Sequence, residues 1–355
     1  MRMKSWVAIV AFNAVLATAI QGLAPAQPRL TDRNDYDYNG RAPLTAFCPN
    51  SIYCYRILVP MALELVPADP ELRWRTFQWL AHTATGAVVA MATAPVASPY
   101  IASILLQASY AFSFTAYDPY TPDPLVFLIS ALVLYLWIED RSLTIAAMAA
   151  VGVFAKETVA LIVSAPAIAV VFWNDRPSRW RWVLPAVLAW SVLLGFHWYM
   201  DSHAGWGISR NAASNFGTGS WLAIWWKNNP SLAHKALMFF APFGWGWAFA
   251  ALGYRHAPRA FKQLAAGAVL PMLALIYVQT PERALGNAFF VVIPLAAVFL
   301  ARVPAAAAWT AAITSALVTA RMGLSSDLLP SSSVLLVPAT AAAAWAFWAS
   351  TRRTR

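Results

Sequence analysis

Residues 281–301 read PERALGNAFFVVIPLAAVFLA. A glutamate and an arginine open the stretch, and no charged residue follows between 284 and 301. A helix needs roughly 20 mostly apolar residues to cross a bilayer. The run 284–301 therefore predicts a transmembrane span with a charged turn at its mouth. The same alternation of apolar run and polar turn recurs along the chain. About twelve runs can be marked, at 5–24, 77–95, 99–116, 123–138, 142–156, 158–173, 182–200, 231–252, 263–279, 284–301, 304–323 and 331–350. Of 355 residues, 60% are hydrophobic and 11% charged, against about 25% charged in an average soluble domain. The expected fold is an all-α polytopic membrane protein, one integral membrane domain spanning 1–355 with about 12 transmembrane helices. Its long first extracytoplasmic loop is 25–76, and a second large one is 201–230. No repeat or low-complexity tract interrupts it.

Charge sets the expected orientation. With the N-terminus inside, twelve crossings place Arg2, Lys4, Arg141, Arg176, Arg179, Arg181, Arg255, Arg259, Lys262, Arg302, Arg352, Arg353 and Arg355 on the inner side. That is 13 of the 25 basic residues against three of the 15 acidic ones, Glu139, Asp140 and Asp175. Short inner loops dense in Arg follow the positive-inside rule. Both termini are expected to be cytoplasmic and the protein to reside in a bacterial inner (cytoplasmic) membrane. The net charge of +10 reads as topology and contact with anionic lipid, with no nucleic acid partner. The first span also resembles a signal peptide, with small residues at Ala17-Thr18-Ala19; cleaved or kept, it puts the next loop outside. The runs 142–156 and 158–173 are short and are read as two crossings.

The outer loops then hold most of the unusual polar groups. The first contains Asp32, Asp35 and Asp37, Arg41, the pair Cys48 and Cys54, and Tyr55-Arg56-Ile57-Leu58-Val59-Pro60. Later outer turns supply Asp118 and Asp123, Lys156-Glu157, Arg210, and Glu282-Arg283. Ionisable groups near membrane depth are costly and are functional candidates by default. Each alone is an ordinary solvated loop charge; convergence from five loops favours a shared site. A carboxylate can take the proton of an attacking hydroxyl. Arg56 and Arg283 each precede an apolar run, at headgroup level, where a guanidinium can hold a phosphate by two hydrogen bonds or snorkel to ordinary phospholipid. Asp123 opens a span and reads as a helix cap, which leaves Asp118 as the stronger candidate acid.

An oxidising compartment would allow a Cys48–Cys54 disulfide. Two cysteines without a nearby histidine are too few for a metal site, and the five histidines show no ligand spacing. Asp35-x-Asp37-x-Asn39-Gly40 begins like a calcium loop, but position twelve is Ala46, where a bidentate Glu is required. No cofactor is expected from the sequence, although the clustered acids leave room for a divalent metal. Trp221, Trp225 and Trp226 read as an interfacial helix in the aromatic belt. No Walker loop, Gly-x-Ser-x-Gly or His-Glu-x-x-His occurs.

The layout resembles the GT-C superfamily of polytopic glycosyltransferases. The matching positions are the Asp32/Asp35/Asp37 cluster in the first outer loop, Asp118 or Asp123 after the third span, and a late arginine, Arg283. The run from Asp32 to Tyr36 with Tyr55-Arg56-Ile57-Leu58-Val59-Pro60 is also similar to the Asp…Tyr-Arg-x-Leu-x-Pro layout of bacterial GT-C-like membrane proteins, which favours Asp32 as the lead acid. The resemblance implies transfer of a sugar, with inversion, from a polyprenyl-phosphate donor to an envelope glycan, lipid or protein. Asp32, Asp35, Asp37 and Asp118 would be catalytic. Tyr55, Arg56, Lys156, Glu157, Arg210, Glu282 and Arg283 would bind substrate, with Arg56 and Arg283 on the phosphate. Within 355 residues no soluble C-terminal domain of the kind many GT-C enzymes carry is found, which leaves the acceptor open. The rival reading is a transporter or flippase for a lipid-linked or anionic solute, since twelve spans with inner termini suit that class too. A third is a non-catalytic scaffold.

Overall fold

The computed structural model describes residues 3–25, 32–45, 53–173, 179–203, 221–228, 231–278, 280–325 and 328–352. Among these the regular structure is helical, with no strand. In chain order the helices are α1 (Met3–Leu23), α2 (Arg33–Arg41), α3 (Leu58–Glu64), α4 (Pro70–Thr93), α5 (Pro99–Gln107), α6 (Tyr110–Tyr117), α7 (Asp123–Ile138), α8 (Ser142–Gly152) and α9 (Thr158–Phe172). They continue with α10 (Trp180–His203), α11 (Trp221–Asn228), α12 (Leu232–Phe240), α13 (Gly246–Tyr254), α14 (Arg259–Val278), α15 (Pro281–Gly286), α16 (Phe289–Leu300), α17 (Ala305–Gly323) and α18 (Leu328–Arg352).

The apolar run that follows Arg283 forms α16 at the centre of the bundle. Every residue of α16 is buried, as a helix that is apolar all round requires. Phe289 packs edge-on against Phe112 and Phe127, and Phe299 stacks on Phe249. The peripheral helices behave differently. Leu184, Val187 and Leu194 of α10, and Val334, Val337 and Trp348 of α18, are exposed. Contiguous exposed apolar surface of this kind suits lipid. Among the described residues four segments are long and apolar enough to cross a membrane: Ser5–Leu23, Trp180–His203, Arg259–Tyr277 and Val334–Arg352.

Several expected spans differ from the helices found. The run 99–116 is two helices, because Ser109 takes an extended conformation (ψ 155°) between α5 and α6. The run 231–252 breaks at the turn 241–245, where Gly244 adopts φ +54°, a conformation open to glycine at no steric cost. The two breaks meet: the Tyr110 amide donates to the Pro242 carbonyl at 3.3 Å. Helices α7, α8, α9 and α16 are apolar but shorter than a full crossing. Helix α4 starts earlier than the apolar run, because Asp69 caps it by accepting from the Glu71 and Leu72 amides, with Pro70 in the first turn. The acidic segment of the first loop is a helix, α2.

Side-chain contacts sort the turns to two ends. At one end Trp137 Nε1 donates to the Ala260 carbonyl and its ring lies 4.6 Å from that of Trp182. At the other, Asp123 meets Lys156 and Arg283. Residues 260 and 278, near the two ends of the 20-residue α14, are separated by about 27 Å along its axis.

Candidate functional site

At the second end a cavity of about 480 Å³ lies between the first loop, the turn 153–157, α10 and the start of α15. A volume of that size holds a small-molecule group. Its polar lining is Asp32, Tyr36, Tyr53, Arg56, Thr121, Lys156, Glu157, His197, Thr280 and Arg283, and its apolar side is Leu161, Trp190, Leu193 and Leu194.

Local structure explains how the first loop reaches this place. Asp32 precedes α2 at the N-cap position without capping it. Tyr36, one turn on, is buried and shares its face. Asn39 of α2 donates to the Tyr53 carbonyl at 2.8 Å, which holds Tyr53 against the helix. Tyr53 Oη then donates to Asp32 Oδ1 at 3.0 Å. The Leu58 amide donates to the Phe154 carbonyl at 3.0 Å, so the chain after Arg56 is pinned beside the Lys156-Glu157 turn.

Arg56 spends three donors in this arrangement. Its Nε and Nη2 donate to Glu157 Oε2 and Oε1 at 3.1 and 2.6 Å, a fork matching both carboxylate oxygens. Its Nη1 donates to Tyr36 Oη at 3.1 Å. Burial opposes the Arg56 charge, but Glu157 and Tyr36 outweigh it and hold the guanidinium above its ordinary value. Burial likewise raises the Glu157 carboxyl, and Arg56 more than reverses this, so it sits below its ordinary value. Burial pushes the Tyr36 phenol well up. Burial, then the Asp32 carboxylate, pushes the Tyr53 phenol up to about 12.

A second cluster is centred on Asp123. Lys156 Nζ lies 2.5 Å from Asp123 Oδ1, and Arg283 Nη2 lies 3.5 Å from Oδ2. Burial lowers the Lys156 ammonium despite Asp123. Burial acts on Arg283 in the same sense, but Asp123 and Asp118 hold it above its ordinary value. Arg283 also sits 5.0 Å over the Phe114 ring. Among the described residues it makes one long ion contact where Arg56 makes a short fork, so its donors are the more available to a ligand.

The cavity unites Asp32, Arg56, Lys156, Glu157 and Arg283; the other candidates lie elsewhere. Asp37 pairs with Arg33 at 3.5 Å and lines a separate groove with Asn34, Tyr38 and Arg41. Asp35 lies on α2 outside the cavity lining. Tyr55 is buried behind it, donating to Asp201 and packing 4.0 Å from the His197 ring. Glu282 is buried off the cavity, and burial pushes its carboxyl up. Asp118 is buried and outside the lining; Asp123, read as a cap, organises the cations instead, because the cap position is Pro122 and the carboxylate points to Lys156. Arg210 lies outside the described residues. Cys54 is disulfide-bonded, and the chain's other cysteine, Cys48, lies outside the described residues.

Tyr36, Tyr53, Thr121, His197 and Thr280 were not singled out from the sequence. A lone histidine within the apolar run 182–200 was the available signal for His197; its Nε2 is buried in the cavity wall without a hydrogen-bond partner among the described residues. Among the described residues no group of three His, Cys, Asp or Glu could hold a metal ion. Comparison with protein-family models, with curated proteins and with solved structures returns no match, so the geometry of this cavity carries the functional reading.

Proposed function

We propose that the protein is a membrane glycosyltransferase of the GT-C type. It moves a sugar from a polyprenyl-phosphate donor to an acceptor hydroxyl on the outer face. The observation that carries this is one cavity holding a carboxylate, Asp32, and a cation with available donors, Arg283, beside an apolar wall. That wall, Leu193 and Leu194 with Trp190, belongs to α10, where Leu194 is 59% exposed. A phosphate head with an isoprenoid tail suits such a junction of polar floor and lipid-facing side.

In this mechanism the acceptor oxygen attacks the anomeric carbon and its proton passes to Asp32. The bond from that carbon to the phosphate oxygen breaks, and the electron pair leaves on the phosphate. Tyr53 orients Asp32. Arg283, with Lys156, meets the charge growing on the leaving phosphate, which is where preorganised cations lower a barrier most. Asp123 holds those cations in place. Arg56 is reassigned from phosphate holder to anchor of Glu157, which with His197 faces the sugar hydroxyls.

The test is a mass-spectrometric profile of envelope glycans and lipid-linked sugars in a deletion strain against its complemented parent. A transferase predicts that one envelope sugar disappears while a polyprenyl-phosphate sugar accumulates on the outer face. One observation favours the transporter reading: broken helices meeting inside a bundle, as α5/α6 and α12/α13 do, are common around transported solutes. A flippase predicts accumulation of the same lipid on the inner face, which separates the two.

A further inference from the structure

Arg283 and the Asp123 cluster border a second, much smaller pocket, of about 10 Å³, between α6, α7 and α15. That is the lower limit of room for the centre of one water molecule. Its polar lining is Thr115 from α6, Asp123, Arg283, and Asn287 from the turn after α15, with the Phe114 and Phe127 rings beside them. Thr115, Asp123 and Asn287 are buried. The Arg283–Asp123 contact next to it is loose: its 3.5 Å exceeds the roughly 2.7–2.9 Å of a direct charge-assisted hydrogen bond. A polar contact of that length is where a water shares the space.

Acceptors crowd this pocket. Asn287 Nδ2 donates to the Arg283 and Ala284 carbonyls at 3.0 and 3.3 Å, which leaves its Oδ1 to accept. Thr115 Oγ1 lies 3.0 Å from the Phe112 carbonyl, 3.2 Å from that of Ala111 and 3.1 Å from His82 Nε2. Whichever of these takes the hydroxyl proton, a lone pair of Thr115 Oγ1 remains. The Asp123 carboxylate only accepts, and Arg283 only donates. One water balances the set. It accepts from Arg283 and donates its two protons to Asp123 and Thr115, three bonds being usual for a buried water.

Packing holds Thr115 ready for this. The ring of its neighbour His82 lies 4.5 Å from that of Phe112. The His82 carbonyl accepts from Gln107 Nε2 at 2.8 Å, and the same nitrogen reaches Asn13 Oδ1 at 3.2 Å. A Cβ on Gly86 would collide with that Asn13 oxygen, so the missing side chain lets the two amides meet.

We infer that this pocket binds one water as a fixed part of the site, bridging Asp123, Arg283 and Thr115. Through it Thr115 is a positioning residue for Arg283. The water stands apart from sugar transfer; a lipid phosphate as the ligand of Arg283 rests on that reading.

Crystal structures of the full-length protein in a lipidic phase, at a resolution that shows ordered water, test this. The wild type should show a density peak within about 3.2 Å of Asp123, Arg283 and Thr115. Thr115→Val keeps the shape without the hydroxyl and should lose the peak, while Thr115→Ser should keep it. Ordered water elsewhere but none here in the wild type would overturn the site. Affinity for undecaprenyl phosphate tests the positioning role: Thr115→Val should weaken it about fivefold and Thr115→Ser should restore it. Weakening by Arg283→Ala but not by Thr115→Val would overturn that role. Unchanged affinity in Arg283→Ala would instead remove the phosphate from Arg283, and with it the transfer reading, while the peak still decides the water. Should Thr115→Val not fold, the wild-type peak decides the site by itself.

Discussion

Arg56 shows how burial turns a surface-type residue into a framework. Its side chain is 9% exposed and spends three donors on Glu157 and Tyr36. Arg56→Ala would strand the partners of a largely buried pair, an expensive class of change. Glu157 is 42% exposed and can regain water, so the expected loss is about 2 kcal/mol, read as a lowered melting temperature in detergent. Arg56→Lys should recover little of it, because an ammonium cannot make the fork. The same pair gives a pH signature. The Glu157 carboxyl is held below its ordinary value of 4.5, so its contribution is complete above that value. It is lost as pH falls through the lowered folded-state value. Melting temperature should therefore drop on acidification below about pH 4.5, and Glu157→Gln should flatten that limb.

At the scale of elements, helices meet where a side chain is missing. Gly253→Ala places its methyl against the backbone of α16, so α13 must move; a loss of about 2 kcal/mol is expected. Gly195→Ala on α10 meets nothing within 4 Å and should leave the melting temperature unchanged or slightly raised. The apolar run 284–301 did mark a buried helix, because composition alone separates an all-apolar segment from its surroundings. Asp32, Lys156-Glu157 and Arg283 were legible as site candidates, because charges beside apolar runs stand out. Their partners were not. Arg56 and Glu157 lie 101 positions apart, and no local spacing encodes that pairing. Asp123 looked like a cap because an Asp-Pro at a helix start usually is one; only the tertiary approach of Lys156 and Arg283 reveals its use. The breaks at Ser109 and Gly244 were hidden because both sit inside continuous apolar runs.

Over the whole molecule the side-chain contacts divide the turns between two ends, and the proposed orientation, with both termini cytoplasmic, puts the Asp32 cavity at the outer one. That orientation predicts labelling by a membrane-impermeant maleimide. A cysteine placed at Arg41 should react in intact cells, and one placed at Arg302 only after permeabilisation. The reverse pattern would invert the proposed topology and move the Asp32 cavity to the inner face. An outward Asp32 cavity is what a transferase using lipid-carried sugar needs, since its donor lies in the outer leaflet and its acceptor beyond it.

Asp32 is the proposed base of that cavity, and its sequence neighbours Asp35 and Asp37 are not. The most direct measurement is the lipid-linked sugar and envelope glycan profile of a deletion strain complemented with Asp32→Asn, beside Asp37→Asn, both at wild-type abundance. Asp32→Asn should reduce transfer by about a hundredfold or more with the polyprenyl-phosphate sugar accumulating, while Asp37→Asn, whose partner is Arg33, should restore the parental profile. Restoration of the parental profile by Asp32→Asn would contradict it.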